Sequence, residues 1–165
     1  MPCARMALHA ENVGAHGQHW GIRMIASALP LVFVVVSIVV LGVTGNLFSW
    51  SPIVIAAQAA AVGLNVWARR SFRAGTFRVS AAPAGSSIIR RGPYRLIRHP
   101  MYSAALLFVG AGVLSHLSAF TLALGVAVTA VATARIIAEE RLLSATYPEY
   151  RDYTRTTKAL VPYLI

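Results

Sequence analysis

Side chains able to bind a small molecule are concentrated in two short segments of the chain. The first holds Arg98, His99 and Tyr102 around Pro100, and the second holds the adjacent carboxylates Glu139 and Glu140. Proline favours the first turn of a helix, so Pro100 predicts a helix start with His99 near its N-cap. A guanidinium, an imidazole and two carboxylates that converge would form a candidate ligand-binding or catalytic site.

Each of these residues also has a simpler interpretation. Adjacent glutamates repel each other and are costly beside a bilayer, so cations such as Arg135 and Arg141 must compensate for them. Arg135 and Glu139 have the i,i+4 spacing of a structural ion pair within a helix. Arg98 and His99 could anchor a helix at headgroup level, and the tyrosines could belong to an interfacial belt. Spacing alone leaves both interpretations open.

The composition indicates that a bilayer surrounds the elements that position these residues. Hydrophobic residues make up 57% of the 165 residues and charged residues only 12%, which is far outside the composition of soluble domains. A formal net charge of +10 would suit nucleic acid, but so apolar a chain leaves little polar surface for it. No nucleic-acid partner is therefore expected. The single cysteine, Cys3, cannot form an internal disulfide.

Two long uncharged stretches predict four membrane-spanning helices. Residues 24–68 contain no Asp, Glu, Lys or Arg and are interrupted at residues 44–46 and at Pro52. Residues 101–134 are equally uncharged, too long for one crossing, and divided by a polar turn at residues 115–118. The predicted spans are about 24–43, 52–68, 100–114 and 119–138. The predicted fold class is an all-α polytopic membrane protein built from two helical hairpins. A cleaved signal peptide is the alternative for the first span, but its apolar core would be unusually long.

The distribution of basic residues predicts the orientation. Eight arginines lie in residues 69–98 and more basic residues follow residue 134, whereas the turns within the hairpins contain no Lys or Arg. By the positive-inside rule, the 69–98 loop and both termini are cytoplasmic, against anionic headgroups. The third span then begins on the side where the fourth ends. His99 can therefore meet Glu139 and Glu140, although they are far apart in sequence.

Two tails flank the predicted spans. Residues 1–23 lack periodicity and predict a poorly ordered N-terminal tail, followed by one membrane domain over residues 24–165 with a cytoplasmic tail at 139–165. The N-terminal tail contains three histidines, His9, His16 and His19. No carboxylate or cysteine cluster accompanies them, so no metal site is predicted.

Five elements that follow in order carry a family resemblance. They are Gly92-Pro93-Tyr94, Arg98-His99-Pro100-Met101-Tyr102, Glu139-Glu140, Tyr147-Pro148-Glu149-Tyr150-Arg151-Asp152-Tyr153, and Val161-Pro162. Through them, roughly residues 65–163 resemble the isoprenylcysteine carboxyl methyltransferase and phospholipid methyltransferase superfamily. Ala104 departs from a common glycine but still permits close helix packing. Tyr147-Pro148 replaces a frequent Phe-Gly, and its proline fixes φ and alters the path of the tail.

The resemblance implies a methyltransferase with S-adenosylmethionine as its cofactor. The cofactor-binding residues that it implies are Tyr94, Arg98, His99, Tyr102, Glu139, Glu140 and Tyr150, and no catalytic residue is assigned. Carboxylates attract the ammonium and sulfonium of the cofactor, while Arg98 or a helix N-terminus can hold its carboxylate. Because methyl transfer is an in-line displacement, the protein has to align the reactants, exclude water and stabilise the changing charge.

The resemblance also implies a lipophilic acceptor that is dissolved in the membrane. Carboxyl methylation of an isoprenylcysteine is the closest similarity, and N-methylation of a phospholipid is the alternative. A carboxylate acceptor is already ionised, whereas an amine must be neutral to react. A non-enzymatic four-span transporter or scaffold is the competing class. Transporters usually place ionisable residues near the bilayer midplane, which the uncharged stretches do not provide.

Overall fold

Helices make up the regular structure of this computed structural model, which describes residues 28–71 and 88–161. They are α1 (Ala28–Val43), α2 (Pro52–Arg70), a short 3-10 helix (Gly92–Arg95), α3 (Pro100–Ser115), α4 (Ala119–Thr146) and α5 (Tyr150–Thr156). No strand occurs within the described residues, where one isolated parallel bridge joins Ile97 and Lys158. The all-α class predicted from the sequence is thus confirmed for this part of the chain. The predicted N-terminal tail, residues 1–23, lies outside it.

A tight turn joins α1 to α2 where the sequence predicts one. Gly45 has a φ of 71°, a left-handed conformation that glycine adopts without strain, and Asn46 N–H donates to Leu41 O at 2.8 Å. From within α2, the buried side chain of Gln58 donates to Leu47 O at 2.7 Å. This hydrogen bond fastens the connection onto α2 and satisfies a buried carbonyl.

The turn between α3 and α4 is fixed by a capping box. Thr121 N–H donates to Ser118 Oγ at 3.1 Å, and Ser118 N–H donates to Thr121 Oγ1 at 2.9 Å. The turn therefore lies within the predicted residues 115–118. α4 has 28 residues and continues past residue 138, because the Glu, Arg, Leu and Ala residues that follow favour helix in water as well. At roughly 42 Å, α4 is longer than the ~30 Å hydrocarbon core of a bilayer.

The apolar core lies where the helices meet. It is formed by Leu41 of α1, Leu47 of the α1–α2 connection, Val109 and Val113 of α3, and Val128 of α4. Many other large apolar side chains are exposed on the outer helix faces, an arrangement that suits a lipid environment. Among the described helices, α2 and α4 are long and apolar enough to cross a membrane, while α3 and the described part of α1 are apolar but shorter.

The 3-10 helix packs closely against the end of α2 because its first residue is a glycine. Gly92 has a φ of 55°, and a Cβ at this position would clash with Ser71 Oγ and lie 3.1 Å from Trp67 Nε1. Any other residue would thus be strained in its backbone and would displace the C-terminal end of α2. The contact sets the position of the chain that leads into α3.

We expect Gly92→Ala to destabilise the protein by about 1–3 kcal/mol, through the left-handed φ and the clash with Ser71. Thermal unfolding of the purified protein in detergent measures this effect. Gly63→Ala is the matched control, because a Cβ at this position in α2 has no neighbour within 4 Å and alanine favours helix over glycine. Equal unfolding temperatures for the two variants would show that the 3-10 helix does not depend on Gly92.

Candidate functional site

The chain after α5 runs parallel to the residues that lead into α3. Arg98 N–H donates to Lys158 O at 2.7 Å, and His99 N–H donates to Ala159 O at 3.0 Å. Lys158 N–H in turn donates to Leu96 O at 3.2 Å. We call residues 157–160 the tail segment. Its carbonyls accept hydrogen bonds from the main-chain N–H groups of Arg98 and His99, so these two amides are not available to a ligand.

His99 is the N-cap residue of α3 and Pro100 is the first helical residue, as the sequence predicts. Ser103, in the first turn of α3, places its hydroxyl 2.5 Å from Leu160 O and 3.1 Å from His99 O. The start of α3 is therefore fixed to the tail segment by both main-chain and side-chain contacts. This arrangement holds the imidazole of His99, which is 6% exposed, against the end of α4.

Arg98 connects α4 to the tail segment. Its Nε donates to Glu140 Oε1 at 2.7 Å, and its Nη1 contacts the main-chain carbonyls of Thr154, at 3.4 Å, and Thr157. The Arg98 and Glu140 side chains are mostly buried, at 13% and 28% exposed. A charge-assisted hydrogen bond in such surroundings favours the ionised carboxylate. Arg98 thus holds one glutamate in place across 42 positions of sequence.

Glu139 is held by two further side chains. Tyr102 Oη donates to Glu139 Oε1 at 2.8 Å, and Arg135 Nε donates to the same oxygen at 2.8 Å. The Arg135–Glu139 ion pair has the i,i+4 spacing that the sequence predicts. Both partners are largely buried, which makes this contact stronger than an exposed helix pair.

Glu140 pairs with a cation from outside α4, and not with the neighbouring arginines that the sequence suggests. The sequence offers Arg135 and Arg141 for the two glutamates, but Glu140 pairs with Arg98, and Arg141 is exposed. Successive helix positions are rotated by about 100°. Glu140 consequently faces the start of α3, whereas Arg141 points away from it.

The imidazole of His99 lies between the two carboxylates. Its Nε2 is 3.3 Å from Glu140 Oε1, and its Nδ1 is 3.8 Å from Glu139 Oε2. A neutral imidazole can donate to only one of them, whereas an imidazolium can donate to both. The ring also lies 5.7 Å from that of Tyr102. His99, Tyr102, Glu139 and Glu140 therefore form one contiguous polar cluster at the end of the α3–α4 hairpin.

Tyr150 adds a buried hydroxyl to the Glu140 side of this cluster. The residue is 1% exposed, and its Oη has no hydrogen-bond partner among the described residues. Burial, and next the negative charge of Glu140, raise the pKa of its phenol, so it remains a neutral O–H donor. A buried hydroxyl without a partner costs about 1–3 kcal/mol, so a ligand that accepts a hydrogen bond from it would bind favourably.

Tyr94 lies on the Glu139 side of the cluster. Burial raises the pKa of its phenol, and Tyr153, Glu139 and Tyr102 add to the increase in that order. Direct contacts join five of the residues singled out from the sequence, namely Arg98, His99, Tyr102, Glu139 and Glu140. The other two, Tyr94 and Tyr150, are linked through Tyr153, whose hydroxyl donates to Tyr94 O and whose ring lies 5.9 Å from that of Tyr150.

Tyr153 and Arg90 are structural partners of the site that sequence reasoning did not single out. Tyr153 Oη donates to Tyr94 O at 2.6 Å, and Arg90 lies over the Tyr153 ring at 5.4 Å while its Nη2 donates to Glu149 O at 3.0 Å. Burial raises the pKa of Tyr153 to about 12, and the charges of Arg98 and Arg90 only partly oppose this. Tyr147, Tyr150 and Tyr153 recur every three residues, a spacing that could have indicated one buried face.

The described residues contain no group of three His, Cys, Asp or Glu side chains able to hold a metal ion. The three N-terminal histidines considered from the sequence lie outside the described ranges. Within residues 28–71 and 88–161, the site is thus a cluster of arginine, histidine, carboxylate and phenol groups.

Comparison with known sequences identifies the family. Residues 50–150 match the sequence profile described as phospholipid methyltransferase, which covers more than half of the chain. The chain belongs to the phospholipid methyltransferase family. The match includes all seven predicted site residues, and it confirms the superfamily that the motifs indicated. No solved structure matches the chain.

Two curated relatives carry names from metal resistance. The chain is 36% identical over 80 residues to the cobalt-zinc-cadmium resistance protein CzcN of Cupriavidus metallidurans, which is 48% of this chain and 37% of that protein. It is 30% identical over 133 residues to the nickel-cobalt-cadmium resistance protein NccN of Alcaligenes xylosoxydans xylosoxydans, which is 79% of this chain and 62% of that protein. The chain thus spans between about a third and three fifths of these relatives.

Proposed function

We propose that this chain is an integral membrane methyltransferase that transfers a methyl group from S-adenosylmethionine to a lipophilic acceptor. The observation that carries the proposal is the convergence of Arg98 and His99 on Glu140. The buried hydroxyl of Tyr150, whose pKa the charge of Glu140 helps to raise, has no partner among the described residues and adds a free hydrogen-bond donor. These groups lie within the family match and are chemically suited to a ligand that carries both a carboxylate and positive charges. Bound S-adenosylmethionine would supply the electrophilic methyl group.

Each polar group of the cluster has a role toward this donor. The carboxylates of Glu139 and Glu140 attract its ammonium and sulfonium. The Arg98 guanidinium has five N–H donors, and its contacts with described residues use Nε and Nη1, so we assign Nη2 to the carboxylate of the donor. Tyr150 Oη donates one further hydrogen bond. His99, Tyr102 and Arg135 hold the two glutamates in position.

We expect Tyr150→Phe to weaken S-adenosylmethionine binding by roughly 2- to 10-fold, the value of one neutral hydrogen bond. Stability should not fall, because the hydroxyl has no partner among the described residues. Isothermal titration and thermal unfolding of the purified protein measure the two effects. Tyr153→Phe is the matched control, since it removes the hydrogen bond to Tyr94 O and should lower the unfolding temperature. Unchanged donor affinity in Tyr150→Phe would exclude that hydroxyl from the site.

We propose a four-span topology for the enzyme, with the site at the cytoplasmic boundary. The spans are about 24–43, 52–68, 100–114 and 119–138, and the termini and the 69–98 loop are cytoplasmic. Three features support this arrangement: the long apolar sections of the helices, their exposed apolar faces, and the occurrence of arginines, among α1 to α4, only in the C-terminal parts of α2 and α4. In it, the acceptor reaches the polar cluster laterally from the bilayer.

Cysteine labelling tests the topology. After removal of Cys3, a cysteine placed at Gly75, which lies outside the described residues, should be protected from an impermeant thiol reagent in intact cells. A cysteine at Ser49, in the α1–α2 connection, should react. Permeabilised cells serve as the control for reactivity, since both positions should then label. Labelling of Gly75→Cys in intact cells would reverse the proposed orientation.

The motifs most resemble those of isoprenylcysteine carboxyl methyltransferases, which favours a carboxylate acceptor. Such an acceptor is already ionised and needs no general base. The family description favours the alternative, a phospholipid amine. For that reaction the amine must first lose a proton, because only its neutral form is nucleophilic. Methylation assays with both acceptors across pH distinguish them, since only the amine should require a neutral nucleophile.

The two relatives are named for metal resistance, and a small membrane transporter is the competing function for this chain. Ion transporters usually carry ionisable side chains near the membrane midplane. Among α1 to α4, acidic and basic side chains occur at the C-terminal end of α2 and in α4 from Arg135 onward, so the middle sections of the proposed spans are apolar. This distribution favours the methyltransferase. The decisive experiment measures S-adenosylmethionine binding by the purified protein and then methyl transfer into a total-lipid extract. Absence of donor binding would exclude the proposed function.

A further inference from the structure

A basic hollow lies next to the proposed donor site but is lined by different residues. Its volume is about 160 Å³, and it is formed by Arg95, Leu96, Thr154, Arg155, Thr156, Thr157 and Lys158. None of the seven residues assigned to the donor lines it. The parallel contact of Ile97 with Lys158 brings the residues before α3 against the tail segment and so shapes the hollow.

The charge of the hollow is strongly positive. Arg95, Arg155 and Lys158 contribute three cations from three different elements of the chain. Among the described residues, their acidic partner is Asp152, which lies 3.7 Å from Arg155; the two side chains are 77% and 82% exposed. Such an exposed pair offsets little of the positive charge of the hollow. The hollow is therefore suited to an anion.

The donor groups of the hollow favour phosphate. Two guanidinium groups and one ammonium provide the planar and point-like donors that commonly bind phosphate oxygens. The hydroxyls of Thr154 and Thr156 donate to carbonyls of their own helix at 2.7 and 3.1 Å, so the cations supply the binding. The volume is about ten times the roughly 10–15 Å³ that one water needs, which leaves room for a phosphate group.

Apolar side chains beside the cations favour a lipid over free phosphate. Leu96 lines the hollow and is 47% exposed, and Val161, just after the tail segment, is 43% exposed. Leu96 precedes the apolar helix α3 by four positions, at the level where a span would leave the headgroup region. A phospholipid could place its phosphate among the cations and its glycerol and first methylenes against Leu96.

We propose that this hollow binds the phosphate of an anionic phospholipid at the cytoplasmic surface, at a site separate from the methyl donor. The inference uses the membrane placement proposed above, but it does not depend on methyl transfer. A lipid with net negative charge is preferred to a zwitterionic one, because the three cations exceed the one carboxylate that pairs with them among the described residues.

Native mass spectrometry of the purified protein in detergent tests the proposal with two probes, phosphatidylglycerol and phosphatidylcholine of the same acyl chains. We expect the parent to bind phosphatidylglycerol at least about tenfold more tightly, as expected for several cations at about 1 kcal/mol each. The triple variant Arg95→Gln/Arg155→Gln/Lys158→Gln should lose this preference. The matched triple variant Arg70→Gln/Arg91→Gln/Arg141→Gln removes the same charge from exposed positions outside the hollow and should keep it.

The outcomes separate this proposal from the others. A preference that survives in the hollow triple variant, or that is lost equally in both triples, overturns the site. Displacement of phosphatidylglycerol by inorganic phosphate at tenfold excess over the lipid overturns the lipid assignment, because the hollow then takes free phosphate. Arg95→Gln alone should give an intermediate loss, so the proposal stays testable if the triple variant does not fold. S-adenosylmethionine binding, measured in parallel, reports on the proposed function independently.

Discussion

Glu140→Gln is expected to lower the affinity for S-adenosylmethionine by roughly 10- to 100-fold, the range for a hydrogen bond to a charged group. The substitution removes the negative charge that faces the ammonium and sulfonium of the donor. It also leaves Arg98, only 13% exposed, without its carboxylate partner. Both effects act on the site and not on the apolar core, so the protein should remain folded in detergent.

His99→Ala is expected to act in the same direction. The imidazole contacts both carboxylates, so its removal frees Glu140 to move away from the donor. Isothermal titration with S-adenosylmethionine measures both variants, and circular dichroism verifies their helix content. Glu149→Gln makes the same chemical change as Glu140→Gln at a carboxylate outside the cluster and should bind like the parent. If Glu140→Gln and His99→Ala both match the parent, the donor does not bind at this cluster.

Acceptor hydrophobicity should have the second large effect. Each methylene buried in the bilayer or in an apolar site contributes about 0.8 kcal/mol, so three added methylenes should contribute up to ~2.4 kcal/mol, or roughly fiftyfold in apparent affinity. The prediction follows from the position of the cluster at the end of an apolar hairpin. A soluble acceptor with the same reactive group should therefore be poor.

A homologous series of prenyl or acyl thioethers in lipid vesicles provides the measurement. Methyl-transfer rates are compared at fixed acceptor concentration per lipid as well as per volume. Fixing the concentration per lipid separates partitioning into the bilayer from recognition by the protein. A soluble, tail-less acceptor that matches the longest lipophile under both conditions would exclude lateral access.

The sequence predicts the parts of the site that depend on local pattern. Pro100 and the uncharged stretch after it predict the start of α3, and the polar residues 115–118 predict the turn into α4. Together these two features place His99 and the glutamates at the same end of one hairpin. The helical repeat and the turn chemistry are local properties, so one sequence is sufficient to recognise them.

Contacts that depend on tertiary packing could not be predicted in the same way. The pairing of Glu140 with Arg98 and not with Arg141 requires the rotation of α4 relative to α3. The path of the tail segment, with its main-chain hydrogen bonds to Arg98 and His99, has no periodic signal. The spacing of Tyr153 from Tyr147 and Tyr150 could indicate a buried face, but its hydrogen-bond partner, Tyr94 O, is set by tertiary packing.

The tail segment has a consequence for the order in which the protein matures during synthesis. Arg98 is held by carbonyls from Thr154 and Thr157, and His99 by Ala159, so the cluster needs residues that are translated about sixty positions later. In the proposed topology the hairpins can enter the membrane while the ribosome is still working, because each satisfies its own backbone hydrogen bonds. Binding at the proposed donor site, by contrast, has to wait until residue 160 has left the exit tunnel. We therefore expect nascent chains stalled before that point to be inserted and helical but unable to bind S-adenosylmethionine.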